Sequence, residues 1–125
     1  MSDYHEPTGE LSENLRDQVR VLHSLREEVE AVDWYNQRME ASGDPAVQQI
    51  LRHNRDEEME HAAMALEWLR RNMDGWDDAL RTYLFTTGNL IDIEDAAEGG
   101  GGGGGSQSGS SGNDESDLGI GSLKE

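Results

Sequence analysis

The chain contains no cysteine, which excludes a disulfide framework, thiolate chemistry and Cys-ligated zinc or iron–sulfur sites. Its one lysine is Lys124, and 10 basic residues stand against 27 acidic ones, for a net charge of −17. Such a surface repels nucleic acid and anionic membranes and attracts cations, although acidity alone also serves simply to keep a protein in solution. No apolar run approaches membrane-spanning length, and the opening "MSDYHEPTGELSENL" lacks the basic-then-apolar pattern of a secretion signal. A cytoplasmic protein is expected, with neither nucleic acid nor membrane among its partners.

Glycine is scarce where a helix would need it to be and crowded elsewhere. Of 15 glycines, 11 lie at or after Gly99, and Gly99 to Gly105 are consecutive. Gly/Ser chains have nothing to offset the entropy of ordering. The expected organisation is a disordered start at 1–8, a helical domain at 9–98, a Gly/Ser linker at 99–112 and a terminal peptide at 113–125. A lone hairpin of roughly 90 residues buries too little apolar surface to be stable, so an oligomer is expected.

The fold class read from the pattern is all-α. From a cap at Thr8 or Ser12 to about Ala41, apolar residues recur at helical spacing as Leu11, Leu15, Val19, Leu22, Val29 and as Val21, Leu25, Val32, Met39. "ASGDPAVQ" then ends one helix and starts another. Gly43 is suited to a left-handed exit, Asp44 to a cap and Pro45 to a first helical position. So short a connection predicts an antiparallel pair, with the second helix at about Pro45 to Asn72. Gly75 interrupts, "WDDALRTYLF" predicts a short third helix ending near Thr86 or Gly88, and 89–98 is left as an extension of unassigned structure.

Glu58 and His61 lie three residues apart on the second helix, so they share a face. A lone Glu-x-x-His is a weak signal, and the plain alternative for His61 is a surface histidine paired with Glu57. The register adds to it. Glu28 lies 15 residues before Gly43 and Glu58 15 after it, so in a hairpin both sit roughly 22 Å from the turn. Glu28 also falls in the apolar row, where a carboxylate is costly unless paired or bound to a metal. Two carboxylates and one imidazole are half the ligand set of a di-iron helical bundle, and a second copy related by a two-fold axis would supply the rest. The expected assembly is therefore two protomers forming a ferritin-like four-helix bundle. Oxygen-rich ligands with two imidazoles suit iron, two ions per dimer interface.

Tyr35, one heptad after Glu28, is either ordinary core edge or a hydrogen-bond partner of a ligand carboxylate. Glu27 and Glu30, with Asp33 nearby, are either a solvated charged face or an acidic mouth for an approaching cation.

Three segments, "EEVEAVDWYNQR", "HNRDEEMEHAAMALEWLRRN" and "LRTYLFTTG", closely resemble the encapsulated ferritins in order and spacing over roughly residues 20–90. The resemblance implies a ring-shaped decamer of five dimers with a ferroxidase centre at a dimer interface. Glu28, Glu58 and His61 would be the iron ligands and Tyr35 a neighbour. Glu27, Glu30 and Trp34 would line a route for metal, where calcium is a further candidate ligand. It also implies that the protein oxidises iron without storing the mineral itself.

The segment "SDLGIGSLKE" brings back Leu118, Ile120 and Leu123 after the linker. It resembles the cargo-loading peptides that dock inside encapsulin shells, with the linker setting reach. The expected location is cytoplasmic, inside such a nanocompartment. Two readings stand beside this one. A helical interaction module would dimerise regardless of metal, and a non-redox metal-binding protein would respond alike to calcium, zinc and iron.

Overall fold

The ends of each helix follow from the side chains that satisfy its orphan amides. In the computed structural model, which describes residues 4–100, the Ser12 hydroxyl accepts from the Leu15 amide at 3.1 Å and α1 runs Glu13–Ala41. Thr8, the other candidate cap, instead opens a 3-10 turn, Thr8–Glu10.

Helix α2 runs Pro45–Asn72, with Pro45 in its first turn and the Asp44 carboxylate accepting from Ala46 and Val47 amides at 2.8 and 3.4 Å. The left-handed exit expected of Gly43 is absent, since the glycines with positive φ are Gly75 and Gly88. Ser42 makes the turn instead. Its backbone is extended, its amide still donates to Arg38 O, and its hydroxyl oxygen accepts from the Asp44 amide at 3.2 Å. An extended residue held this way redirects the chain without a left-handed one.

The two long helices pack as an antiparallel hairpin. Gln18 donates across it to the Asn72 carbonyl at 3.1 Å, and Arg55 donates to the Asn36 carboxamide oxygen at 2.9 Å. Small side chains, Ala62 and Ala65, stand in the half-buried seam with Leu25, Val32, Leu51 and Leu66. Among the described residues only Leu69 is fully buried. Much of the apolar content remains uncovered, with Val29 55%, Ile50 60% and Met64 64% exposed.

The chain divides into two compact units between Asp77 and Asp78. In the first, Arg70 donates to the Glu67 carboxylate through two nitrogens at 2.8 Å and also pairs with Asp77, which ties the end of α2 to the start of the next helix. Helix α3 spans Trp76–Tyr83. It stops short of the expected Thr86 or Gly88 because the backbone turns left-handed at Phe85 (φ 62°) and again at Gly88 (φ 98°). Helix α4, Leu90–Gly100, occupies the stretch left unassigned, with the Asn89 side chain accepting from the Asp92 amide at 3.0 Å. Helix therefore extends two residues into the segment read as linker. The rest of that linker, 101–112, and the peptide with Leu118, Ile120 and Leu123 lie outside the described residues.

The fold is all-α, with no strand among the described residues, and none of their helices is long and apolar enough to cross a membrane.

Candidate metal centre

Helix α1 carries Glu28 near its middle, and α2 brings Glu58 and His61 to the same height one turn apart. One ligand atom from each lies within 4.8 Å of the others, and among the described residues no second trio of His, Asp or Glu gathers in this way. His61 Nδ1 is 3.1 Å from Glu58 Oε1 and 3.9 Å from Glu28 Oε1. The alternative pairing of His61 with Glu57 does not form. Glu57 pairs with His53 at 3.2 Å, and His53 is exposed.

The two carboxylates crowd each other. A hydrogen bond between them raises the Glu28 pKa above the usual carboxylate range. Partial burial and the Glu58 charge push the same way, while His61 opposes and Glu27 adds slightly. Both side chains keep about a quarter of their surface, 26% and 23%, so a cation could reach them. A divalent ion between them would replace like-charge repulsion with attraction. Hard oxygen ligands with an imidazole fit a transition metal such as iron better than calcium, which takes oxygen alone.

The remaining site candidates are more dispersed. Tyr35 is half-buried with the Arg38 guanidinium 5.4 Å from its ring centroid, a cation–π contact. No hydrogen bond joins its hydroxyl to Glu28, Glu58 or His61 among the described residues. Glu27 and Glu30 are exposed on α1. Trp34, 49% exposed, lines an open depression of about 260 Å³ with Gln37 and Arg38. One chain does not gather Glu27, Glu30 and Trp34 into a site.

One neighbour of the centre escaped the sequence reading. Arg55 lies one turn before Glu58, and its guanidinium binds Asn36 across the hairpin and Asp56 beside it. The three-residue spacing from Glu58 was the available signal.

A helical hairpin that brings two carboxylates and an imidazole together midway along its length has the form of half a ferritin-like bundle. Comparison with known proteins narrows this. The EncFtn-like family model matches residues 3–87, and the chain belongs to that family. It is 59% identical over 120 residues to a protein of Thermotoga maritima named ferritin-like protein, covering 96% of both chains. It is 54% identical over 121 residues to the encapsulated ferritin-like protein of Rhodospirillum rubrum, covering 96% of this chain and 86% of that one. A protein of Nitrosomonas europaea known from its crystal structure matches with a TM-score of 0.67 and 55% identity, over 71% of this chain and 98% of that one.

Proposed function

We propose that the protein is a ferroxidase whose di-iron centre forms between two copies of the chain. The observation that carries this reading is the convergence of Glu28, Glu58 and His61 within 4.8 Å in a member of the EncFtn-like family. One copy supplies three ligands, and a bundle of two hairpins supplies four carboxylates and two imidazoles, the set that holds a pair of iron ions in ferritin-like bundles. The uncovered apolar side chains beside the ligands, Val29 at 55% and Met59 at 47% exposure, give the second copy a reason to bind.

In this reading Fe(II) is the substrate. Glu27, Glu30 and Trp34 lie along its approach, where calcium could also bind, and the Glu28 and Glu58 carboxylates receive the cation. Each of the two ions then gives one electron, and with two protons from solvent the pair reduces dioxygen to hydrogen peroxide or hydrogen peroxide to two waters. The carboxylates stabilise the added positive charge, and His61 fixes the ligand geometry. Fe(III) leaves for mineral storage inside an encapsulin shell, where the protein sits as a ring of dimers. The name of the Rhodospirillum rubrum relative, encapsulated ferritin-like protein, supports the encapsulated location.

Replacing Glu28 or Glu58 by Ala removes a ligand twice per site through symmetry and should abolish rapid aerobic Fe(II) oxidation, followed by the absorbance of ferric product. Wild-type turnover in either variant would overturn the ligand assignment. Deleting 113–125, with Leu118, Ile120 and Leu123, should leave oxidation intact while ending co-purification with a co-expressed shell protein. Persistent co-purification would dismiss the docking peptide.

A further inference from the structure

Arg55 stands one helical turn before Glu58 on α2, within side-chain reach of it. Arginine–acid pairs three residues apart form elsewhere in the chain, each with the acid first, whereas Arg55 precedes Glu58, the order that pairs less readily. Arg16 meets Glu13 at 3.7 Å, Arg20 meets Asp17 at 2.6 Å and Arg70 meets Glu67 at 2.8 Å. Arg55 behaves differently. Its Nη1 donates to Asn36 Oδ1 at 2.9 Å across the hairpin, and its Nε and Nη2 donate to Asp56 Oδ1 at 3.2 and 3.0 Å. The side chain is 21% exposed and three of its donors are engaged.

A guanidinium seated on Glu58 would do two things to the metal centre. Its fork matches a carboxylate and would occupy the oxygens a metal needs. Its positive charge would also repel an incoming cation. A guanidinium held elsewhere leaves Glu58 open, and the cross-hairpin acceptor holds this one toward α1.

We propose that Asn36 is a positioning residue which, with Asp56, holds the Arg55 guanidinium off Glu58 and leaves that carboxylate free for metal. This rests on the metal-centre reading above. It adds a polar device at the far side of the hairpin seam, and it assigns a purpose to the Asn36–Arg55 bond beyond joining two helices.

The test uses the full-length protein and Co(II) alone, with binding followed by equilibrium dialysis and by the visible d–d absorption of the bound ion. Asn36→Leu changes no charge, and its position is exposed, so helicity by circular dichroism should match wild type. It should weaken Co(II) binding about two- to fivefold, the scale of a solvent-accessible ion pair competing for the carboxylate. Asn36→Asp keeps an acceptor and should bind like wild type. Adding Arg55→Gln to Asn36→Leu should restore the affinity, because the competitor is then gone. The loss in Asn36→Leu should also shrink near 1 M salt, where the screening length falls to about 3 Å.

Unchanged affinity in Asn36→Leu overturns the inference. So does a loss that Arg55→Gln fails to restore, since that would mean a disturbed seam and not a released cation. A control separates this from the underlying reading. If Glu58→Ala binds Co(II) like wild type, the metal centre itself is wrong and the inference falls with it.

Discussion

Glu67 shows how single side chains stabilise a molecule with so little core. It accepts from Arg70 through both oxygens at 2.8 Å and from Arg71 at 2.6 Å. The Arg70 and Arg71 guanidiniums hold its carboxyl at about 2, below the ordinary 4.5. A depressed carboxyl binds protons more weakly folded than unfolded, so its contribution is full above about pH 4.5 and is lost as pH falls toward 2. Glu67→Gln should therefore lower the melting temperature near neutral pH, with the gap to wild type closing between about pH 4.5 and 2. A gap that stays constant across that window would contradict the role given to this carboxyl. At the metal centre, the pairing of Glu28 with Glu58 was legible in the sequence from their equal distance to the turn. Helical rise is regular enough to carry that register over 15 residues. The rotamer of Arg55 was not legible, because an arginine three residues from one acid and next to another can choose either. Its bond to Asn36 on the neighbouring helix depends on the packing of α1 against α2.

The helices themselves were written in caps and breakers. Asp44 and Pro45 located the start of α2 to the residue, and α1 starts at Ser12, one of the two candidate caps. Gly43 misled because glycine permits a left-handed conformation without requiring one, and Ser42 already turns the chain. The end of α3 was placed too late, since nothing in "TYLFTTG" announces that Phe85 adopts positive φ. That conformation is unusual for a bulky residue and is set by the surrounding chain. Helix α4 was missed because "NLIDIEDAAE" mixes Asn, Asp and Ile with no strong apolar period, and its start depends on the Asn89 cap. Asp44→Ala removes an acceptor that satisfies two amides and should cost about 1 kcal/mol in urea-induced unfolding. No change in the midpoint would show that Pro45 and Ser42 define the turn without it.

A single copy of the molecule has one fully buried side chain among those described, while Val29, Ile50, Met59 and Met64 stay largely in water. Hydrophobic burial is the main favourable contribution to folding, so a hairpin this bare is best understood as part of a larger bundle. The proposed chemistry points the same way, because three candidate ligands converge where a ferritin-like pair of ions would need six. The structural and the chemical deficits fall on the same middle stretch of the hairpin, and a second copy would meet both. The decisive measurement is anomalous diffraction at the iron edge from crystals grown anaerobically with ferrous salt. Expected is a pair of iron peaks between Glu28, Glu58 and His61 of two facing copies. Iron found elsewhere, or those three side chains turned to bulk solvent with no neighbouring copy opposite, would contradict a centre shared between chains.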